Sequence, residues 1–159
     1  AAAAIWKERR GLVVGALKAG DSIGAYAAAS NTGLTAGADA AEAEFYAGWI
    51  ALSRLRQPDA AARHFAAIGA IGASPITKGR ALFWQGRAAE AQGDMIGAQA
   101  FYGEGARYIT TFYGQLAAEK AGLPDGYRID STHRLLVPGL DEMRQLLIIS
   151  GPRSGDPVL

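Results

Sequence analysis

The sequence contains no cysteine, two histidines and one asparagine. Without cysteine no disulfide or thiolate metal site can form. This argues against a small disulfide-stapled extracellular domain and fits a bacterial cytoplasm or periplasm. The chain also lacks a Gly-x-Ser-x-Gly nucleophile elbow, a His-Glu-x-x-His metal motif and a strand-associated phosphate-binding loop. We therefore expect no catalytic residue, metal or cofactor.

The sequence also lacks an excess of charge of either sign and any long apolar run. Sixteen basic and fifteen acidic residues leave a net charge of +1, which gives no electrostatic reason to expect a nucleic-acid partner. No apolar run approaches the ~18–20 residues of a membrane-spanning helix, so we expect no membrane span. The chain begins Ala-Ala-Ala-Ala without an initiator methionine or a signal peptide, which is typical of a mature or excised piece.

In place of these signatures, the sequence carries a repeat. Residues 43–68 and 81–106 each place Ala-x-Phe-aromatic-x-Gly-x-x-Ala on a first helical segment and Ala-x-x-Phe on a second. Phe45 corresponds to Phe83 after 38 residues, and Phe65 to Phe101 after 36. In an α-solenoid, a helix pair of this length buries its apolar face only against the next pair. The repeat predicts an all-α, right-handed α-solenoid of antiparallel helix hairpins, similar to a tetratricopeptide superhelix.

Glycines take matching places in the two repeats. Gly48 and Gly86 both follow the aromatic pair of the first helical segment. Glycine inside a helix costs ~0.5–1 kcal/mol relative to alanine. We expect a close helix crossing to compensate, at a point where a β-carbon would clash.

Capping residues, prolines at helix starts and glycines at helix ends predict seven helices. Asp21, Ser74 and Asp94 are the clearest N-caps, and Gly20 and Gly93 are the clearest ends. No segment alternates between apolar and polar residues, so no strand is predicted. The predicted helices cover residues 5–19, 21–31, 39–56, a segment from 58, 75–92, a segment after 94, and 110–121, with a glycine-rich linker at 33–39.

The character of the chain changes after residue 122. Turn-forming residues become frequent and no helical period is clear over residues 123–138. One more short helix is expected at 140–149 and a loose tail at 151–159. We therefore predict a helical-repeat superhelix at residues 1–122, followed at residues 123–159 by a linker with the short helix and the tail.

Candidate catalytic side chains are scattered. Neither His64 nor His133 has a carboxylate three or four residues further along in its own helix, which argues against a metal-binding or catalytic role, and His64, beside Phe65 in an amphipathic helix, is expected to be a boundary side chain. A general acid needs an apolar pocket that raises its pKa, whereas most carboxylates here fall on predicted exposed faces or helix starts. These carboxylates are Glu42, Glu44, Glu90, Asp94, Glu104, Glu119, Asp141 and Glu142.

Aromatic side chains at helical spacing leave two interpretations open. They can form the helical core, which the spacing favours, or they can stack on sugars in a groove. The set comprises Trp49, Trp84, Phe101, Tyr102, Phe112 and Tyr113.

Four segments, in order, resemble the helical region of soluble lytic murein transglycosylases. They are residues 16–21 (ALKAGD, with Ala25-Tyr26 after it), 43–52 (AEFYAGWIAL), 74–94 (SPI followed by ALFWQGRAAEAQGD) and 110–117 (TTFYGQLA). The Trp-x-Gly-Arg-Ala-x-x-x-x-Gly-Asp part alone fits a generic tetratricopeptide unit. The resemblance covers about residues 7–123.

In that family a helical superhelix forms a ring or horseshoe in the periplasm, and a separate lysozyme-like domain follows it. The resemblance implies that the parent protein cleaves the bond between N-acetylmuramic acid and N-acetylglucosamine without hydrolysis. One glutamate protonates the glycosidic oxygen, and attack by the muramoyl 6-hydroxyl leaves a 1,6-anhydro end, without metal or nucleotide. The implied partners are peptidoglycan glycan strands and a catalytic domain in a missing segment.

The family's catalytic glutamate lies in a Glu-Ser motif, and no glutamate precedes serine in this sequence. The segment Met143-Arg144-Gln145-Leu146 lacks the Gly-Leu lead of the family's second motif. No catalytic residue is therefore carried over. We expect this piece to hold or orient glycan without cleaving it.

Two rival predictions remain. Hairpins of 36–38 residues also suit a tetratricopeptide-like module that binds a peptide in its groove, and the helices could instead only stabilise a larger enzyme. A groove lined by Trp, Tyr and Arg would favour glycan, whereas clusters of Asn and Lys would favour a peptide carboxylate.

Overall fold

The computed structural model of the chain describes the backbone of residues 2–123, 128–129 and 135–136, and the side chains of residues 4–123. Within these ranges it contains seven helices and one pair of two-residue strands. The helices are α1 (Ala2–Lys18), α2 (Ser22–Ala29), α3 (Gly37–Ser53), α4 (Pro58–Ile71), α5 (Pro75–Gln92), α6 (Met95–Ala106) and α7 (Phe112–Lys120), and the strands are β1 (Arg128–Ile129) and β2 (Leu135–Leu136).

The described part is all-helical, as predicted, apart from the antiparallel pairing of β1 with β2. The sequence predicts no strand, because two residues are too few for an alternating pattern to be visible. The helix predicted at residues 140–149 and the tail predicted at 151–159 lie outside the described residues, as does most of the predicted linker.

Side-chain caps fix where the helices begin. Asp21 and Asp94 each accept a hydrogen bond of 2.8 Å from the backbone N–H three residues further on. The hydroxyls of Ser74 and Thr111 accept the corresponding bonds at α5 and α7. Each cap satisfies an amide that has no partner inside its helix. The predicted caps at Asp21, Ser74 and Asp94 are therefore confirmed, and the helix predicted from residue 110 is capped by Thr111.

Helix α3 differs most from its predicted bounds. It begins at Gly37, inside the predicted linker, and ends at Ser53 instead of near residue 56. Asp39 lies in its first turn, where the positive end of the helix dipole favours a carboxylate. Arg56 has a φ of 53°, a left-handed conformation that cannot continue a right-handed helix.

The core is divided into three clusters along the described chain. The first joins α1, α2 and α3, the second joins α3, α4 and α5, and the third joins α5, α6 and α7. Each helix contacts the next one, and α1, α3 and α5 also contact the helix two places further along. Alanine is the commonest buried residue, so helices can approach closely. The largest buried side chains are Val13 and Ile50 in the first cluster, Phe65 and Ile68 in the second, and Phe83 and Tyr102 in the third.

The two matching glycines each lie against an aromatic ring of the partner helix. A β-carbon on Gly48 would lie 2.6 Å from Cε1 of Phe65, and one on Gly86 would lie 2.7 Å from Cδ1 of Tyr102. The close crossings predicted at both glycines are confirmed. Phe65 and Tyr102 are each the eighth residue of their helix, so the predicted pairing of Phe65 with Phe101 is wrong by one position.

Candidate ligand-binding cleft

A cleft of about 630 Å³ lies among α1, α3 and α5. Helices α3 and α5 are the first helices of the two predicted repeats, and α1 is the first helix of the hairpin that precedes them. We call it the α1/α3/α5 cleft. Its lining residues are Val14, Leu17, Lys18, Glu42, Phe45, Tyr46, Trp49, Arg54 and Arg80.

Three aromatic side chains of α3 form one wall of this cleft. Phe45 and Trp49 are four residues apart and therefore share a face of the helix, with Tyr46 beside them. All three are half-buried. Phe45 packs against the second core cluster, while Tyr46 and Trp49 pack against the first. The wall is thus fixed by the core on one side and faces the cleft on the other.

Two arginines stack on this wall. The guanidinium carbon of Arg54 lies 5.5 Å from the centroid of the Trp49 ring, and that of Arg80 lies 5.0 Å from the Phe45 ring. Guanidinium groups are attracted to the faces of aromatic rings at these distances. The Nε of Arg80 is buried and has no hydrogen-bond partner among the described residues.

The carboxylate of the cleft, Glu42, is already engaged by α1. Its Oε1 lies 3.2 Å from Nη1 of Arg10, and its Oε2 accepts a hydrogen bond of 2.8 Å from the indole N–H of Trp6. Both of its oxygens therefore have partners on α1. Glu42 therefore links α1 to α3 at the cleft, and its ion pair among the described residues is with Arg10 and not with a cation of the cleft.

A second, smaller cleft of about 490 Å³ lies between α3 and α5. It repeats the pairing of tryptophan with arginine, since the Arg87 guanidinium lies 5.9 Å from the Trp84 ring centroid. Here the cation of the lining has a counter-charge, because Glu90 pairs with Arg87 at 3.3 Å, and Glu90 also pairs with Lys120 at 3.2 Å. The indole N–H of Trp84 is buried without a partner among the described residues.

Tyr102 is a core residue with an unusual hydroxyl. The side chain is 1% exposed, and its hydroxyl has no hydrogen-bond partner among the described residues. Burial raises the pKa of Tyr102 well above its ordinary value, and the Glu90 carboxylate raises it further. A phenol held neutral in this way is a poor nucleophile.

His64 joins three helices. Its Nδ1 lies 2.6 Å from Oε2 of Glu44 on α3, and its Nε2 lies 2.9 Å from the hydroxyl of Tyr26 on α2. A carboxylate can only accept, so Nδ1 carries a proton, and in the tautomer with this one proton Nε2 accepts from the Tyr26 hydroxyl. The sequence predicts that His64 lies at the core boundary, where it is found. It does not predict which residues form hydrogen bonds with His64. They are 20 and 38 residues away and lie on other helices.

The carboxylates singled out in the sequence are not all solvated side chains. Glu42 and Glu90 line the two clefts and Glu44 binds His64, so the prediction of exposed faces is wrong for these three. Asp94 is a cap, as predicted. Glu104 pairs with Arg107, Glu119 is exposed, and His133, Asp141 and Glu142 lie outside the described residues.

The aromatic candidates divide between core and surface. Tyr102 is fully buried, and Phe101 and Tyr113 pack partly buried against the third cluster. Trp49 and Trp84 each line a cleft. Phe112 is 68% exposed, so the core interpretation fails for this residue.

Residues 4–123 contain no group of three or more His, Asp or Glu side chains that could hold a metal ion. None of the helices described is both long and apolar enough to cross a bilayer. No family model, curated protein or solved structure matches this chain.

Proposed function

We propose that the seven helices form a right-handed α-solenoid of antiparallel hairpins. The support is the stepwise arrangement of the core, in which three successive clusters each bury one junction between neighbouring hairpins. A repeated contact, glycine against an aromatic ring, recurs at the second and third hairpins. In such an array, successive first helices line one continuous surface, and both clefts lie on that surface.

We further propose that this solenoid is the scaffold part of a periplasmic lytic transglycosylase and binds or orients peptidoglycan glycan strands. The observation that carries this proposal is the α1/α3/α5 cleft, where Tyr46, Trp49 and stacked arginines line one opening. Aromatic faces and arginine donors are suited to sugar rings with their hydroxyl and acetamido groups. The ordered motifs that resemble the transglycosylase superhelix point to the same substrate class.

The cleavage chemistry of this proposal belongs to a separate lysozyme-like domain. That domain would protonate the glycosidic oxygen with its glutamate and release 1,6-anhydro-N-acetylmuramic acid ends. The solenoid would bind the glycan strand and set the direction from which the strand approaches the catalytic domain. This division is consistent with the absence of a Glu-Ser motif from the sequence.

Purified murein sacculi test both halves of the proposal. The chain should co-sediment with sacculi, and no anhydromuropeptides should appear in the supernatant after long incubation. Trp49→Ala should reduce the sedimented fraction, whereas Phe112→Ala, which removes an exposed aromatic ring outside both clefts, should leave it unchanged. Release of anhydro products by this chain would overturn the assignment of cleavage to another domain. Absence of sedimentation would overturn glycan binding.

The second candidate is a tetratricopeptide-like module that binds a peptide. It is favoured by the unpaired cations of the α1/α3/α5 cleft, which could hold a peptide carboxylate. The cleft contains no asparagine and one lysine beside two arginines and three aromatic rings, a composition that favours glycan. Capture of unmodified peptides with no affinity for sacculi would support the module and exclude the scaffold.

A further inference from the structure

The α1/α3/α5 cleft has an excess of positive charge that its own residues do not neutralise. Lys18, Arg54 and Arg80 line it, and none of the three has an ion-pair partner among the described residues. The carboxylate in the lining, Glu42, is paired with Arg10 and hydrogen-bonded to Trp6. Three cations therefore face one cleft whose single acid is already engaged.

The second cleft provides a contrast within the same molecule. There the lining contains one cation, Arg87, and one carboxylate, Glu90, which form an ion pair, so the charges of the lining balance without a ligand. The excess in the α1/α3/α5 cleft is therefore a property of that site and not of the repeat. Cations that line one cleft without counter-charges favour binding of an anion there, because a bound anion supplies the missing ion pairs.

The stacked arginines are well suited to a carboxylate. Guanidinium groups bind carboxylates through two parallel N–H···O bonds, and charge-assisted bonds of this kind are stronger than neutral ones. Stacking on Trp49 and Phe45 holds both groups in place before a ligand arrives. The buried Nε of Arg80, which has no partner among residues 4–123, is one more donor without an acceptor.

We propose that the α1/α3/α5 cleft binds the free carboxylates of the peptide stems carried by peptidoglycan, while its aromatic wall contacts the attached sugar. This inference rests on the proposed glycan-binding function and adds a selectivity to it. The cleft would prefer strands that carry acidic stems over naked or amidated glycan, and so would select the chemical state of its substrate.

Isothermal titration calorimetry with two matched ligands tests this selectivity. One ligand is a murein disaccharide-tetrapeptide with free carboxylates, and the other is the same compound after its carboxylates are converted to amides. The wild-type chain should bind the carboxylate form about tenfold more tightly, because bonds to charged groups are the stronger ones. Added salt should reduce this preference, since the cleft is open to solvent.

Two variants and one control localise the effect. Arg54→Gln and Arg80→Gln should each bring the affinity for the carboxylate form close to that for the amidated form. Arg63→Gln, which removes the same charge from an exposed site on α4, should change neither affinity. Arg54 is exposed, so its variant should fold even if the Arg80 variant does not.

The outcomes separate the two proposals. Equal affinity for both ligands, unchanged in Arg54→Gln, would overturn the carboxylate site while leaving glycan binding intact. No binding of either ligand and no co-sedimentation with sacculi would overturn both. If the tenfold preference for the carboxylate ligand were also lost in Arg63→Gln, the assignment of the carboxylate site to this cleft would be overturned.

Discussion

Gly86 lies directly against the ring of Tyr102, so that a β-carbon at residue 86 would come 2.7 Å from Cδ1 of the tyrosine. Gly48 and Phe65 repeat this relationship one hairpin earlier. Glycine lowers helix propensity at both places, and the gain is a ring packed against the backbone of the facing helix. The contact sets how closely α5 approaches α6.

Replacing Gly86 with alanine should destabilise the fold. The added methyl group overlaps the ring of a fully buried tyrosine, and overpacking of this kind costs about 1–3 kcal/mol. Urea denaturation followed by circular dichroism measures the change in the free energy of unfolding. Gly15→Ala is the matched control, because a β-carbon there meets nothing within 4 Å. The control should gain ~0.5–1 kcal/mol. Equal gains in both variants would show that the crossing is not close.

The helix bounds that the sequence predicts well depend on signals from residues close to each boundary. The bounds of α5 follow from Ser74 and Pro75 at its start and Gly93 at its end, all within one turn of the boundary. Gly93 adopts a φ of 79°, as its place after the last helical turn requires. Residues that cap, start or stop a helix affect only the residues next to them in the sequence. A single sequence is therefore enough to recognise them.

The features that the sequence does not predict are side-chain contacts between different helices. The partners of His64 and the pairing of Glu42 with Arg10 join residues that are 20 to 38 positions apart. Such pairs depend on the rotation of each helix about its axis, which a repeat pattern fixes only to within one residue. The displacement from Phe101 to Tyr102 is an error of that size, and one step moves a side chain by about 100° around a helix.

The cap of α6 should carry measurable stability. Asp94→Ala removes the acceptor for a backbone N–H at the start of the helix, and loss of such a cap costs about 1 kcal/mol. Asp94→Asn keeps a side-chain oxygen at the same position and should retain most of that free energy. Thermal unfolding of the three proteins makes the comparison. If both variants lost the same amount of stability, the negative charge of Asp94 and not its hydrogen bond would be the source of that stability.

Tyr26 and Glu44 should be energetically coupled through His64. Glu44 holds the proton on Nδ1, and this makes Nε2 the acceptor for Tyr26. A double-mutant cycle with Tyr26→Phe and Glu44→Gln should give a coupling of about 0.5–1.5 kcal/mol in urea denaturation. A second cycle that replaces Glu44→Gln with Glu104→Gln, on exposed α6 surface, should be additive. Additivity in the first cycle would mean that the two hydrogen bonds form independently.

Tyr102 should make the fold sensitive to alkaline pH. Its pKa is raised in the folded state, by burial first and by Glu90 second, above the ordinary value of 10.0. Above pH 10 the unfolded chain therefore loses a proton that the folded chain keeps, and the free energy of unfolding falls as pH rises. Below pH 10 both states hold the proton, so this contribution is fully present there.

Tyr102→Phe removes that titration together with a buried hydroxyl that lacks a partner. At pH 7 the variant should be as stable as the wild type or more stable, because no hydrogen bond is lost. Between pH 9 and 11 its advantage should grow, since only the wild type loses stability through residue 102. Urea denaturation at each pH measures the difference, with Tyr108→Phe, at a partly exposed site, as the control. A constant difference across this range would mean that the Tyr102 hydroxyl ionises equally in both states.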